Sequence, residues 1–255
     1  MKDKTRLAIT GIVALVALVA TVGGHGLKFE FGGDDEEAAT AGETSRTLGD
    51  LKGFEAVALT GPDDVVIKRG TTFAVRVDGP SGALERLDLQ VKDGTLHVGR
   101  KKSGVWVGGQ EDGAATVYVT LPALRRVSLA GSGDMSIDRL EGAQVKADLT
   151  GPGNLVIDAL QADEADLSLT GSGDLSAAGR AGQASLSATG SGNLHAEKLH
   201  TDQASLRLIG SGDIAVHASR GADVSVMGSG NAQVIGTSAC KISRMGSGEA
   251  QCTAG

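Results

Sequence analysis

A Gly-x-Gly triplet starts at Gly131, Gly151, Gly171, Gly190, Gly210, Gly228 and Gly246. Successive starts are 20, 20, 19, 20, 18 and 18 residues apart. A feature that returns at a nearly fixed interval marks a repeat architecture. Each repeat is one small unit that buries its apolar side only by stacking on its neighbours. Asp134, Asn154, Asp174, Asn193, Asp213, Asn231 and Glu249 follow the seven triplets.

Between triplets the apolar residues alternate with polar ones. Leu167 and Leu169 precede Gly171 by four and two residues. Leu186 and Ala188, Leu206 and Leu208, and Val224 and Val226 hold the same places in later repeats. Beyond the triplet, Met135 and Ile137, Leu155 and Ile157, Leu175 and Ala177, and Ile214 and Val216 continue the alternation. Period two means strands with one buried face. No helical stripe is expected between residues 46 and 255. The fold class is therefore all-β: a single-chain β-solenoid, or β-helix, expected to be right-handed, with 18–20 residues per coil. Gly-x-Gly forms its corners, where glycine accepts a positive φ. The structural corner ladder comprises Gly131, Gly133, Gly171, Gly173, Gly190, Gly192, Gly210 and Gly212, with Asp134, Asp174 and Asp213 beside them. Seven corners at strand spacing make a stack about 30 Å tall.

Composition agrees. The 39 glycines among 255 residues are about twice the usual share. Only four Phe, Trp106 and Tyr118 are aromatic, and the net charge is -7. A nucleic-acid partner is excluded, because it calls for a basic groove with stacking aromatics. Collagen is excluded because the glycines do not recur every third residue.

The Asp/Asn alternation has an electrostatic rationale. Carboxylates in register at about 4.8 Å repel, and alternation with Asn doubles their separation toward the Debye length. The competing reading is a calcium or catalytic row using Asp134, Asp174 and Asp213, or Asp138 and Asp158. The calcium β-roll signature, a nine-residue period with G-G-x-G-x-D, is absent. General acid–base chemistry needs groups converging in a cleft, whereas a ladder only repeats. The corner serines, Ser132, Ser172, Ser191, Ser211, Ser229 and Ser247, are copied too often for a nucleophile. His25, His97, His195, His200 and His217 share no metal-ligand spacing and mostly belong on the surface. No Gly-Lys-Ser/Thr follows the triplets, so they are not phosphate loops. No catalytic residue, metal or cofactor is expected.

The two cysteines keep the register. Cys240 stands six residues before Gly246, in the column of Val145, Ala165, Ala184, Ala204 and Ala222. Cys252 takes the column of Ile157 and Val216. Both columns point inward, so a disulfide, or at least thiol packing, is expected to staple the last coil. The residue just before each triplet drifts from Thr150, Thr170 and Thr189 to Ile209, Met227 and Met245. It is expected to tuck into the corner as core; facing out, it would form an apolar strip.

Lys2, Lys4 and Arg6 precede an apolar run over residues 7–22. Residues 1–24 read as a signal peptide or an N-terminal membrane anchor, with Gly24 the candidate cleavage point. Residues 25–45 read as an acidic flexible linker around Asp34, Asp35, Glu36 and Glu37. Residues 46–130 read as irregular coils and 131–255 as regular coils of the same domain.

The irregular half has its own order of strands. Phe54-Glu55-Ala56-Val57 leads to Thr60-Gly61-Pro62-Asp63-Asp64, a degenerate corner. Val65-Val66-Ile67-Lys68-Arg69-Gly70 and Phe73–Val77 follow as strands. A hairpin around Asp93-Gly94 joins Val91-Lys92 to Thr95-Leu96. A Gly-rich loop at 99–114 carries Trp106. Val117-Tyr118-Val119-Thr120-Leu121-Pro122-Ala123-Leu124 then leads into the Gly131-Ser132-Gly133-Asp134 repeats. This order, over residues 46–255, closely resembles the bacterial exported family named "putative auto-transporter adhesin, head GIN domain". The resemblance implies a β-helical, envelope-exposed protein and carries over no catalytic or binding residue. No autotransporter barrel follows Gly255, so passage through a pore of its own is not expected.

The expected function is a non-enzymatic exported cell-envelope β-solenoid, for binding, adhesion or scaffolding. A glycan or an envelope or matrix protein is the candidate ligand. Membrane association through residues 7–22 and homo-oligomerisation through the end strands are candidate contacts. The alternative is a polysaccharide-processing or calcium-binding β-helix using the Asp ladder.

Overall fold

The structure, a computed structural model, describes residues 43–101 and 113–254. The expected signal or anchor at 1–24, most of the expected linker and Trp106 lie outside the described residues. Strand β1 (Glu43–Leu48) takes the last three residues of the stretch expected to be linker.

The solenoid follows from the columns. Strands β10 (Leu140–Gly151), β11 (Leu155–Gly171), β12 (Leu175–Gly190), β13 (Leu194–Gly210) and β14 (Ile214–Gly228) pair in parallel, each with the next. The register keeps equivalents together: Leu167 lies on Leu186, Leu206 on Val224, and Gly171 on Gly190. Each of these side chains stacks on its own kind in the interior. Leu155, Leu167, Leu175 and Leu194 are fully enclosed. Burying each such side chain stabilises by roughly 1.5–3 kcal/mol.

One coil has three sides. Along β11 the inward residues are Leu155 and Ile157, then Leu160, then Ala165, Leu167 and Leu169. Strict alternation would place Ala159 inward instead of Leu160. Each slip of phase is a bend that turns the chain onto a new side, and the irregular pairing between Ile157 and Leu160 marks the first. The glycine triplet makes the third turn.

The triplet glycines answer to two constraints. Gly171 has φ +134°, and a Cβ there would lie 2.5 Å from the Gly151 carbonyl oxygen. Gly173 carries no positive φ, yet a Cβ on it would overlap the Gly153 carbonyl oxygen. The expected positive φ thus explains the first glycine, and contact between stacked backbones explains the second.

The first half builds the start of the stack. Strands β2 (Ala56–Gly61) and β3 (Asp64–Arg69) flank the degenerate corner and lie parallel on β8 (Arg126–Gly131) and β9 (Met135–Ile137). Gly131 stacks directly on Gly61. Strand β6 (Thr95–Arg100) runs parallel beneath β2, and β7 (Thr116–Leu121) beneath β3. Strands β4 (Ala74–Pro80), β5 (Leu87–Lys92) and β1 then add in antiparallel fashion and finish this end. Asp93 and Gly94, with φ +50° and +71°, turn the β5–β6 hairpin. A six-residue helix, α1 (Ser81–Arg86), connects β4 to β5, where no helix was expected. Its buried Ala83 is too brief a signal for a periodic stripe.

At the other end, β15 (Ala232–Gly236), β16 (Cys240–Gly246) and β17 (Ala250–Ala254) complete the last coils. Strand β16 lies on β14, and β17 on β15. Cys240 and Cys252 are joined by a disulfide between these strands, with an S–S distance of 2.08 Å.

Candidate functional site

The Asp ladder is real, and its carboxylates are engaged in holding coils together. Asn154 donates from its backbone N and from Nδ2 to Asp134 Oδ1, both at 2.9 Å. Asn193 does the same to Asp174 Oδ1, and Asn231 to Asp213 Oδ1, at 3.0 Å. Asp213 N in turn donates to Asn193 Oδ1 at 3.0 Å. The alternation therefore matches an amide donor to a carboxylate acceptor, a more specific reason than charge spacing. The ladder begins one coil earlier than the triplets suggest, since Asp134 N donates to Asp64 Oδ1 at 2.8 Å.

Asp134, Asp174 and Asp213 are each two coils apart, about 9.6 Å at strand spacing. One calcium ion reaches ligands at only about 2.3–2.6 Å. Asp138 does not join a neighbouring acid in catalytic geometry; both its oxygens accept from Arg69 N at 2.9 Å. Asp158 is exposed. His97, His195 and His200 are exposed, and His217 is partly buried with its ring 4.4 Å from that of His200. Among the described residues no three His, Cys, Asp or Glu side chains cluster to hold a metal.

The degenerate corner carries the one deeply buried ion pair described. Asp63 occupies the second-glycine place of its corner, beneath Gly133. It is fully enclosed and receives Arg100 Nε at 2.8 Å, Arg100 Nη2 at 2.7 Å and Ala115 N at 2.9 Å. These bonds satisfy the carboxylate and tie β6 and β7 under the corner. Its role is structural.

The column before each triplet faces out, against the expectation of core. Thr150, Thr170 and Thr189 are exposed, Met227 is 44% exposed and Met245 67%. The alternation explains it: Leu169 and Leu208 point inward, so Thr170 and Ile209 between them and the corner cannot.

A long concave feature was not anticipated. A groove of about 1140 Å³ runs along the stack, crossing β6, β2, β8, β10, β11, β12, β13, β14 and β16 in spatial order. It lies just past the third-side bend of each coil. Its floor is the backbone of the column Val145, Ala165, Ala184, Ala204, Ala222 and Cys240, whose side chains turn into the core. One wall is the residue before the first four floor positions, Gln144, Glu164, Gln183 and Gln203, and it lapses to Gly221 and Ala239 at the last two. The opposite wall is the residue after: Lys146, Asp166, Ser185, Ser205, Asp223 and Lys241. Gln144 Nε2 donates to Glu164 Oε2 at 2.9 Å. Lys146 Nζ lies 3.1 Å from Asp148 and 3.6 Å from Asp166. The hydrogen bond that it donates to Asp148, with both negative charges, holds its ammonium above the ordinary lysine value, against a smaller pull from burial. Arg125 Nη1 is 3.2 Å from Glu55 at the groove's first rungs. The signal for this site was present in the sequence: Gln or Glu recurs seven residues before Gly151, Gly171, Gly190 and Gly210.

Comparison with known proteins now has a geometry to rest on. Residues 53–238 match the family described as "Putative auto-transporter adhesin, head GIN domain". The chain belongs to this family. Among curated proteins none matches the chain. A like fold is found in crystal structures of bacterial proteins. One, described as a putative adhesin from Bacteroides fragilis, is 23% identical with a TM-score of 0.71, covering 84% of this chain and 98% of that one. Another, a putative adhesin from Parabacteroides distasonis, is 21% identical with a TM-score of 0.64, covering 83% and 97%. A third, from the same species and described as a putative lipid binding protein, is 18% identical with a TM-score of 0.62, covering 84% and 98%. At these identities the likeness concerns the fold. In this head GIN domain the triplet ladder fixes the coils in register, and the register in turn aligns the groove walls.

Proposed function

We propose that this chain is a non-enzymatic, adhesin-like module, exported to the cell envelope, that holds its ligand along the solenoid groove. The observation that carries the reading is the groove itself, continuous over nine strands and lined by polar side chains in register. Its family description as an adhesin and the export-type layout of residues 1–24 support the compartment. Among the described residues no helix is long and apolar enough to cross a membrane. In this reading residues 7–22 serve as an anchor when uncleaved, and cleavage after Gly24 releases the chain.

Screening the exported chain against glycans and matrix proteins tests the reading. We expect binding that weakens when Gln183 and Gln203 are changed to Ala, and no new reducing ends after prolonged incubation with polysaccharides. Chain scission would overturn the non-enzymatic assignment. Cell fractionation with N-terminal sequencing of the mature chain tests compartment and cleavage together.

A second reading concerns the last coil. Ile242 is 43% exposed, in a column where Val224 and Leu206 are buried. With the edges of β16 and β17, it supports self-association through this end. Sedimentation of the exported domain would then show a concentration-dependent dimer; a strict monomer would end this reading.

A further inference from the structure

Resting on the reading of the groove as the binding site, we propose that its ligand is an extended, uncharged glycan. Four observations lead there.

The first is shape. Nine strands at strand spacing give a trough about 38 Å long. A trough of that length suits a linear polymer better than a compact molecule, whose usual site is a closed pocket.

The second is the step. The walls repeat once per coil, about every 4.8 Å. An extended peptide returns a side chain to the same face only every two residues, about 6.6–6.8 Å, and falls out of step within two rungs. Nor can a peptide add as a strand. The groove floor belongs to strands that already have a neighbour on each side, apart from the last coil. A chain of pyranose rings with equatorial linkages advances by close to one rung per ring, with alternate rings turned over, and walls that both donate and accept serve either edge.

The third is that chemistry. The floor is the backbone of Ala165, Ala184, Ala204 and Ala222, whose methyls turn into the core, so no side chain stands up between the walls. Glutamine amides stand on one side at Gln183 and Gln203, and hydroxyls on the other at Ser185 and Ser205. Amides and hydroxyls both donate and accept, which is what ring hydroxyls require.

The fourth is charge. Four basic and five acidic side chains line the groove, so neither sign dominates. Lys146 is already held by Asp148 and Asp166, and Arg125 by Glu55. The rungs on β12 and β13 bear no charge. A polyanion would find no basic row to neutralise it. No aromatic residue lines the groove, so each ring contributes little and affinity accumulates along the length.

The test uses the full exported chain with cello- and chito-oligosaccharides of two to eight units, polygalacturonate, and an uncharged extended peptide, read by calorimetry. We expect the neutral oligosaccharides to bind at least tenfold more tightly at six units than at two. Gln183→Ala with Gln203→Ala should cost at least tenfold at six units. Ser205→Trp should abolish binding by obstructing the space between the walls. The exposed glutamine pair keeps the test valid if the Ser205 variant does not fold, which its melting curve reports. Binding of polygalacturonate or peptide in preference, or silence from neutral glycans at every length, would overturn the glycan assignment. If the glutamine variant still loses binding to matrix or surface material in that case, the groove stands as the site and only the ligand class falls. If neither variant changes any binding, the groove reading falls with it.

Discussion

The corner at Thr60–Asp64 and the corner at Gly210–Asp213 follow the same backbone path under different steric rules. The first begins the stack. Nothing lies within 4 Å of where a Cβ on Gly61 would stand, and the second-glycine place is filled by Asp63. The other has a coil directly before it, and a Cβ on Gly212 would overlap the Gly192 carbonyl. The glycine requirement is thus imposed by the neighbouring coil. A corner with no corner beneath it is free to carry a side chain, and here that side chain recruits Arg100 and the Ala115 amide to tie β6 and β7 beneath it.

The sharpest way to break this comparison is Gly212→Ala against Gly61→Ala. The first is expected to cost about 3 kcal/mol or more, since backbone must move. The second costs only the strain of a positive φ, about 1–2 kcal/mol. Equal shifts of the urea midpoint would refute the steric account. Next in size is the interior. Leu206→Ala, 2% exposed, should lose about 2–5 kcal/mol, while Ile242→Ala at the half-open last coil should lose less than about 1. A comparable loss at both sites would mean that the last coil is covered in solution, as self-association requires. Replacing Cys240 and Cys252 by Ser should cost about 2–4 kcal/mol, with amide protection lost from β16 and β17 alone. Two titratable thiols in the unfolded, unreduced protein would sink the staple. The smallest effect concerns the ladder. Asn193→Asp sets carboxylates on three successive coils and should cost about 1 kcal/mol at neutral pH. Crowding raises the folded pKa of the introduced group, so this cost is present above it and relieved as pH falls through it. A cost independent of pH would favour lost hydrogen bonds over repulsion.

Much of this molecule is legible in its sequence because a solenoid writes its contacts as columns. Leu167, Leu186 and Leu206 are equivalent both in the chain and in space, so period two and the triplet interval give the fold and the register. Three features escape that logic. The antiparallel run through β1, β4 and β7 pairs residues that no column relates. The helix α1 is shorter than two turns. The groove depends on bends, which appear only as slips of phase such as Leu160 in place of Ala159. The outward Met227 and Met245 were within reach of the alternation, yet an apolar residue beside a corner invites a core assignment.

Because each coil contacts only the one before and the one after, coil number is a free variable of this architecture. Duplicating a stretch of 18–20 residues inserts a whole coil and leaves every other contact as it was. The trough becomes longer by one step while its width and chemistry stay fixed. Reach can therefore change by inheritance in whole steps, and a lineage of such chains can be gauged by counting glycine pairs.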